Sequence, residues 1–408
     1  MNKHMKFEKI GPYVFVTKLA GFEHTKYIQG VATHSRVSID DVPMVQGKNI
    51  RNGSFVNEHE WYIKKEVSDL LPRSILNKPC ILIPYVGSNL GEIGIFPCEY
   101  ICHLASNVAK VELVSEKYLL DYIKYYLQSN IGQRYLFQNK QGSAQPNITM
   151  DSIRNTFIIE RTIQEQHQIC SVFSAIDKKI ENNKKICSAL EAMAKTIYDY
   201  WFMQFNFPDE NGKPYRTSGG AMKWNEQLKR EIPKEWEVST LGNLIDKIPN
   251  TVRIPSSEYL SDGIIPVIDQ SSDFIAGYTD NPDSVLESKS GYIVFGDHTR
   301  IVKYIRFPFA RGADGTQVLK SNNPCVSEEL FYQMIKSIDL SNYGYARHFK
   351  FLKDSMIVIP KKNISDNFAE ITKPIYEKQA KLVFENIELS KLRDWLLPML
   401  MNGQVRVE

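Results

Sequence analysis

The stretch FSAIDKKIENNKKICSALEAMAKTIYDYW, residues 173–201, carries apolar side chains at alternating steps of three and four residues. Such steps place these side chains along one face of an α-helix and are typical of a coiled coil. We call this face the first seam; it comprises Phe173, Ile176, Ile180, Asn183, Cys187, Leu190, Ala194, Ile197 and Trp201. The spacing predicts a long central helix that packs lengthwise against another helix.

A second stretch with the same spacing lies near the C-terminus, in FAEITKPIYEKQAKLVFENIELSKLRDWLLPM, residues 368–399. We call its apolar face the second seam; it comprises Phe368, Ile371, Ile375, Lys378, Leu382, Glu385, Leu389, Leu392, Leu396 and Met399. Phe173 matches Phe368, and Asn183 matches Lys378, at an offset of 195 residues. Two long helices of equal phase in one chain predict that each is the partner of the other.

The segments before the two helices repeat one order of predicted elements. The first half gives strands over 42–46, 80–97 (with a Gly-rich turn) and 106–113, one helix over 118–136, and a strand over 151–160. The second half gives strands over 264–269, 291–308 and 315–321, a helix over 328–340, and a strand over 353–360. The sequence therefore predicts an α+β fold, with two pseudo-repeated α/β domains separated and joined by two long antiparallel coiled-coil helices.

The overall composition fits two or three folded domains. Of the 408 residues, 43% are hydrophobic and 24% are charged, which is enough to bury cores. The formal charge of +3 neither indicates nor excludes a nucleic-acid partner, because local patches bind phosphate. No apolar run approaches the roughly 20 residues of a membrane span, and the six cysteines form no CxxC pair. We expect reduced cysteines, no metal site, no membrane segment and a cytoplasmic location.

Motifs for catalysis are missing from the sequence. It contains no G-x-G-x-x-G after a strand, no phosphate-binding P-loop, no G-x-S-x-G and no methyltransferase-type Asn/Asp-Pro-Pro-Tyr/Phe run. PDSVLESK, residues 282–289, resembles the metal-binding set of a restriction nuclease. However, Asp283 and Glu287 are too close in sequence to lie on two strands of a hairpin. Asp297 and His298 could form half of a catalytic dyad, although a polar loop is the simpler interpretation. A binding protein without catalysis is therefore predicted.

Several features together resemble the specificity subunits of type I restriction–modification enzymes. They are the duplicated architecture, the heptad helix after each half, IPKEWEVSTLGNLIDKI at 232–248, LRDWLLPMLMNGQVRV at 392–407, and the GSAQPNIT loop at 142–149. The resemblance covers essentially the whole chain. The first half opens differently, without the Trp and Leu-Gly of residues 236–242.

The resemblance implies two target-recognition domains, at 1–160 and 232–361, each recognising one half of an interrupted DNA site. A central coiled-coil helix at 161–205, a turn-rich linker at 206–231 and a C-terminal coiled-coil helix at 362–408 complete the expected organisation. It also implies double-stranded DNA, two methyltransferase subunits and restriction/translocase subunits as partners. S-adenosylmethionine, Mg²⁺ and ATP would then bind those partners and not this chain.

Base recognition is expected from polar loop residues that differ between the halves, since Asn and Gln pair with adenine and Arg and Lys with guanine. In the first half the candidates are Gln46, Lys48, Asn49, Arg51, Asn52, Ser88, Asn89, Lys140, Gln141, Ser143, Gln145 and Asn147. In the second half they are Gln270, Ser271, Ser272, His298, Thr299, Arg300, Arg311, Tyr345, Arg347, His348 and Lys350. Asn183, Lys378 and Glu385 are the polar seam residues expected to fix helix register.

Two other functions remain open at this point. A coiled-coil scaffold with protein-binding domains would show no salt-sensitive DNA binding. A self-contained nuclease would lose Mg²⁺-dependent cleavage when Asp283 and Glu287 are replaced by alanine.

Overall fold

The computed structural model describes residues 6–138, 147–313, 315–344, 347–405 and 407. The chain divides into two compact units. Unit 1 comprises residues 1–179 and 388–408, and unit 2 comprises residues 180–387. Each of the two longest helices therefore contributes residues to both units.

Unit 1 is an α/β unit in which short strands alternate with short helices. Its strands are β1 (Phe7–Lys9), β2 (Val14–Lys18), β3 (Val42–Val45), β4 (Ile50–Arg51), β5 (Ser54–Phe55), β6 (Tyr62–Ile63), β7 (Ile75–Leu76), β8 (Cys80–Pro84), β9 (Gly94–Phe96), β10 (Cys102–Leu104), β11 (Val108–Leu113) and β12 (Phe157–Ile159). Its helices are α1 (Gly21–Glu23), α2 (Lys65–Asp69), α3 (Leu120–Gln128), α4 (Asn130–Leu136), α5 (Met150–Arg154) and the first part of α6 (Ile163–Tyr198).

Two four-stranded sheets form the centre of unit 1. One has the order β6-β3-β10-β7, in which only β3 and β10 are parallel. The other is antiparallel, in the order β2-β11-β8-β9. Strand β8 is buried along its whole length because both of its faces are covered, which explains its continuous apolar run. Helix α3 packs there through Tyr122, Ile123 and Tyr126.

Unit 2 has strands β13 (Met222–Asn225), β14 (Arg230–Pro233), β15 (Glu237–Thr240), β16 (Ile265–Ile268), β17 (Gly277–Thr279), β18 (Val285–Leu286), β19 (Tyr292–Gly296), β20 (Val302–Ile305), β21 (Phe309–Arg311), β22 (Thr316–Leu319) and β23 (Met356–Ile359). Its helices are the remainder of α6, then α7 (Glu328–Ser337), α8 (His348–Asp354) and most of α9 (Lys362–Met401).

The sheets of unit 2 repeat the topology of unit 1. The order β17-β16-β21-β18, with only β16 and β21 parallel, matches β6-β3-β10-β7. The order β20-β19-β22 matches β9-β8-β11, and the pair β15–β23 matches β1–β12. Unit 2 has no described counterpart of β2. The predicted duplication of an α/β scaffold is therefore confirmed.

The two halves also open in the same way, although their sequences differ. Ile10 N donates a hydrogen bond to Thr156 O at 2.9 Å, and Leu241 N donates to Ser355 O at 2.9 Å. A glycine follows each of these apolar residues, and a Cβ on Gly11 or Gly242 would lie within 3.1 Å of the backbone oxygen of Arg154 or Lys353. Ile10-Gly11 is thus the counterpart of the Leu-Gly pair that the first half lacked in sequence.

Helices α6 and α9 run antiparallel where they meet inside each unit. In unit 2, Asn183 contacts Glu385 while Cys187 contacts Gln379. In unit 1, Asp177 contacts Arg393. The partner position falls as the position on α6 rises, which is the antiparallel order predicted from the sequence. Helix α6 spans 36 residues and α9 spans 40, about 54 and 60 Å at roughly 1.5 Å per residue.

The offset between the two long helices is 199 residues, whereas the seam spacing predicted 195. Gln166 Oε1 accepts a hydrogen bond from Leu119 N at the start of α3, and Ser365 Oγ accepts one from Ser327 N at the start of α7. Arg154 and Lys353, which face the two glycines, differ by the same 199 residues. The predicted offset was wrong by one helical turn, because a shift of four residues superposes an apolar helix face on itself.

Three local expectations also differ from the structure. The helix predicted over 118–136 is two helices, α3 and α4, because Ser129 adopts an extended conformation and its side chain accepts a hydrogen bond from Gly132 N. The strand predicted over 151–160 begins only at Phe157, after α5. The segment 206–231, predicted as a turn-rich linker, ends in part of the hairpin β13–β14.

Candidate DNA-binding surfaces

In unit 1, Asn49 supports a loop and does not face outwards. Its side chain is 1% exposed; Nδ2 donates to Val56 O at 3.1 Å and to Glu58 O at 2.5 Å. Its Oδ1 accepts a hydrogen bond from Gln46 N at 2.8 Å. Asn49 therefore holds the 46–58 loop closed, and its predicted contact with a base would require the loop to open.

The two cations of this loop are paired with acidic neighbours. Lys48 forms an ion pair with Glu60, and Arg51 forms one with Glu58 at 2.5 Å. Such exposed pairs contribute about 0–1 kcal/mol, so both side chains can exchange a carboxylate for a DNA group at little cost. Asn52 lies beside them, exposed, at φ 54°, in the turn between β4 and β5. Lys48, Arg51 and Asn52 thus present side chains on one surface of unit 1.

A second loop of unit 1 joins the same surface. Asn89 Nδ2 donates to Ile50 O at 2.9 Å, while its Oδ1 accepts from Ser88 Oγ at 2.9 Å. Asn89 therefore positions the turn that carries Asn52, and Ser88 is exposed beside it. Gln46 is half-buried and Asn147 is exposed. Lys140, Gln141, Ser143 and Gln145 lie outside the described residues.

In unit 2, Gln270 ties two of the predicted loops together. Its Oε1 accepts from His298 N at 3.1 Å, and its backbone oxygen accepts from Thr299 Oγ1 at 2.7 Å. The turn after β19 is thereby fixed against the loop after β16. Gln270 and Thr299 position neighbouring side chains, and His298 is left exposed between them.

Buried Lys303 supports the 269–273 loop from beneath. Its Nζ donates to Asp269 O at 2.9 Å and also to Asp273 O. Burial lowers the pKa of Lys303 to about 8, although the negative charges of Asp269 and Asp273 act in the opposite direction. Within the loop, Ser271 Oγ donates to Asp269 Oδ1 at 2.5 Å and Ser272 is exposed. Ser272 is thus the serine of this loop that is open to a ligand.

The remaining predicted residues of unit 2 differ in exposure. Arg347 and Lys350 are exposed, and Arg300 is exposed while its Nη1 donates to Leu340 O at 3.2 Å. Arg311 and His348 are buried, at 7% and 3% exposure. His348 Nδ1 lies 2.9 Å from Asp297 O, so His348 fixes the start of α8. Tyr345 lies outside the described residues.

The structure adds residues that the sequence did not single out. A pocket of about 380 Å³ in unit 2 is lined by Arg253, Asp297, His298, Gly315, Gln317 and Arg347. Arg253 and Gln317 were missed because each stands alone in its segment, without a motif around it. No local sequence signal could have found them, since strand pairing brings their segments together.

The two catalytic alternatives have these positions in the structure. Asp283 and Glu287 are exposed on either side of the two-residue strand β18. Asp297 directs its carboxylate at Phe349 N, at 2.8 Å, and not at the exposed ring of His298. Across the residues that the structure describes, no group of three or more His, Cys, Asp or Glu side chains is placed to hold a metal ion.

Asn183 is the polar contact between α6 and α9 within unit 2. It is 1% exposed, and its Nδ2 donates to Glu385 Oε2 at 2.8 Å and to Asn386 Oδ1 at 2.9 Å. Lys378 is exposed, and the neighbouring Gln379 faces α6 instead, donating from Nε2 to Cys187 O at 2.9 Å. The predicted seam thus holds for Asn183 and Glu385, whereas Lys378 lies in solvent because α9 is rotated by one residue there.

We expect Asn183→Ala to lower the free energy of unfolding by about 1–3 kcal/mol, because it removes two hydrogen bonds from a buried polar contact. Urea denaturation measures the change. The adjacent Asn182 is exposed on the same helix, and Asn182→Ala is the matched control, expected within about 0.5 kcal/mol of the unmodified chain. Equal losses from the two variants would contradict a role for Asn183 in pairing the helices.

Comparison with known proteins relates this geometry to one family. Residues 39–192 match the family model described as the type I restriction modification DNA specificity domain. The type I restriction enzyme MjaIX specificity subunit of Methanocaldococcus jannaschii is 24% identical over 402 residues, covering 90% of this chain and 88% of that protein. The EcoBI specificity subunit of Escherichia coli is 25% identical over 150 residues, 35% of this chain and 31% of that protein.

One solved structure has a similar fold. The crystal structure of the type I restriction–modification system S subunit from M. genitalium superposes with a TM-score of 0.52 at 15% identity, covering 98% of this chain and 96% of that one. The fold class predicted from the sequence is confirmed.

The family resemblance is confirmed as well: this chain carries a type I restriction–modification DNA specificity domain and is similar to type I specificity subunits along its length. These relatives are specificity subunits and not catalysts. In the described part of the chain, no helix is both long and apolar enough to cross a membrane.

Proposed function

We propose that this chain is the sequence-specific DNA-binding specificity subunit of a type I restriction–modification complex. Unit 1 and unit 2 each recognise one half of a bipartite, asymmetric site, and the paired helices α6 and α9 set the spacing between the halves. The chain itself carries no catalytic step. It directs partner subunits to the site.

The duplicated fold supports this proposal most directly. The strand order β6-β3-β10-β7 recurs as β17-β16-β21-β18, yet the loops at equivalent places carry different side chains. Arg51 and Asn52 are presented by unit 1, whereas Arg253, His298 and Arg347 are presented by unit 2. One scaffold used twice with different loops suits an asymmetric site, because base-edge contacts determine sequence while the scaffold determines position.

Partner subunits supply the chemistry in this proposal. Two methyltransferase subunits bind the chain and methylate the site, and restriction/translocase subunits complete the nuclease. S-adenosylmethionine, Mg²⁺ and ATP bind those partners, in the cytoplasm of a bacterial or archaeal cell. The described residues of this chain offer hydrogen-bonding and cationic loops, which suit DNA binding.

The chain assembled with its methyltransferase subunits tests the proposal. Methylome sequencing should show one bipartite motif that disappears when this chain is deleted. Affinity for that duplex should fall about a thousandfold or more between roughly 50 and 200 mM salt, if six or more phosphates are contacted. Salt-insensitive or absent DNA binding would instead favour a protein-interaction scaffold. Mg²⁺-dependent cleavage by the isolated chain, lost in Asp283→Ala and Glu287→Ala, would favour a nuclease.

A further inference from the structure

The pocket of unit 2 that is lined by Arg253, Asp297, His298, Gly315, Gln317 and Arg347 combines hydrogen-bond donors with acceptors. Arg253 and Arg347 are exposed, and neither forms an ion pair with any carboxylate of the described residues. By contrast, Arg216 and Arg306 in the same unit pair with glutamates. Two unpaired guanidinium groups around one pocket point to a ligand with acceptor atoms.

A third arginine adjoins the pocket and is buried. Arg311 is 7% exposed, and its Nε has no hydrogen-bond partner in the described chain. Burial lowers the pKa of Arg311, and the nearby positive charge of Arg253 lowers it further. Three arginines with little acidic compensation keep this part of unit 2 electropositive, which favours an approach to DNA.

The backbone holds both exposed arginines in place. Ile254 N donates to Arg311 O at 3.0 Å, and Ile254 O accepts from Ala313 N at 2.7 Å, so Arg253 adjoins a fixed segment. Arg347 immediately precedes α8, whose first residues are held by Asp297. Asp297 O accepts from His348 N at 3.0 Å, and Asp297 Oδ1 accepts from Phe349 N at 2.8 Å. A pre-positioned guanidinium loses less entropy on binding.

The mixture of groups favours a base edge over a phosphate. In the major groove guanine presents two acceptors, O6 and N7, and its partner cytosine presents the N4 amino donor. The arginines supply donors for guanine, and the Asp297 carboxylate and Gln317 amide supply acceptors for cytosine. A phosphate would instead be repelled by the carboxylate of Asp297.

We infer that this pocket recognises a G·C base pair in the half-site bound by unit 2, with Arg253 and Arg347 donating to the guanine. The inference rests on the proposed function, because it assigns a base to one of the two proposed recognition domains. It goes beyond that function by naming the residues and the base pair.

The test uses the chain assembled with its methyltransferase subunits and compares lysine substitutions. Lysine retains the charge of arginine but not its two-pronged donor geometry. Arg253→Lys and Arg347→Lys should each lower methylation of the G·C-containing site about 10- to 100-fold and relax discrimination at that one position. Arg216→Lys is the matched control and should change neither quantity, because Arg216 pairs with Glu231 away from the pocket.

Phosphate binding would give a different result and would overturn the inference. The lysine variants would then keep their specificity, while Arg253→Ala and Arg347→Ala would weaken binding to all duplexes equally and reduce the salt dependence. Replacing residues 232–361 by those of a relative with another site identifies the half-site of unit 2. A half-site without a G·C pair refutes only this inference, whereas the absence of any sequence-specific methylation refutes the proposed function itself.

Discussion

Seven residues inserted at the same level of both long helices should lengthen the gap in the recognised DNA site by about three base pairs and leave both half-sites unchanged. The boundary between the units falls between Lys179 and Ile180 on α6 and between Ile387 and Glu388 on α9. A heptad adds about 10 Å of helix at 1.5 Å per residue, and B-DNA rises about 3.4 Å per base pair. Seven residues also nearly preserve the helical phase, so each unit retains its own helix contacts.

The effect on the original site should be large, because both halves must be engaged together. Losing simultaneous engagement costs about a hundredfold to ten-thousandfold in avidity. Methylome sequencing of cells that carry the doubly extended chain measures the new gap directly. The same heptad inserted in α6 alone is the control, and it should displace Asn183 from Glu385, lower the melting temperature and produce no longer gap. An unchanged gap in the doubly extended chain, or altered half-sites, would contradict a spacing role for the helices.

The fold could be predicted from the sequence because its signals are local and occur twice. Strand β8 is a continuous apolar run, and α6 keeps one apolar face from Phe173 to Trp201, so both elements were recognisable in isolation. The order of such elements then indicated duplication. The pairing of Ile10-Gly11 with Leu241-Gly242 escaped detection, since what they share is backbone contacts and not residue types.

The exact correspondence of the two helices required the structure. The second seam was predicted to bury Ile371 and Leu392, yet these are 46% and 43% exposed, whereas Thr372 and Tyr376 are buried. Both interpretations place apolar residues at steps of three and four, so periodicity alone cannot separate them. Only the hydrogen bonds of Gln166 and Ser365 to the starts of α3 and α7 fix the offset at 199.

The candidate DNA-binding residues show the same limit more strongly. Residue type marked Asn49 and Arg311 as possible base contacts, but tertiary packing buries both side chains. Arg253 carried no signal because its neighbours in the pocket, Asp297 and Arg347, come from segments far away in the sequence. The sequence thus indicated which loops carry the polar residues, while the partner of each side chain depends on contacts between distant segments.

Alanine at Phe173 or Phe368 should each destabilise one unit and leave the other folded. Phe173 is fully buried in unit 1 against Tyr125, with ring centroids 4.9 Å apart. Phe368 is fully buried in unit 2, where its ring contacts Phe202 at 5.2 Å and Trp201 at 6.1 Å. Removing a buried phenylalanine side chain costs about 3–5 kcal/mol, which lowers the melting temperature of a unit of this size by roughly 10 °C.

Hydrogen exchange followed by mass spectrometry separates the two units in these variants. Phe173→Ala should reduce protection in residues 1–179, and Phe368→Ala should reduce it in residues 180–387. Ile371→Ala is the matched control on α9, since Ile371 is 46% exposed and its loss creates no cavity. At temperatures where only the weakened unit opens, DNA discrimination should disappear at one half-site alone, because base contacts need an ordered domain. Loss of protection in both units from either substitution would show that the chain unfolds as one cooperative body, contrary to two separately packed recognition units.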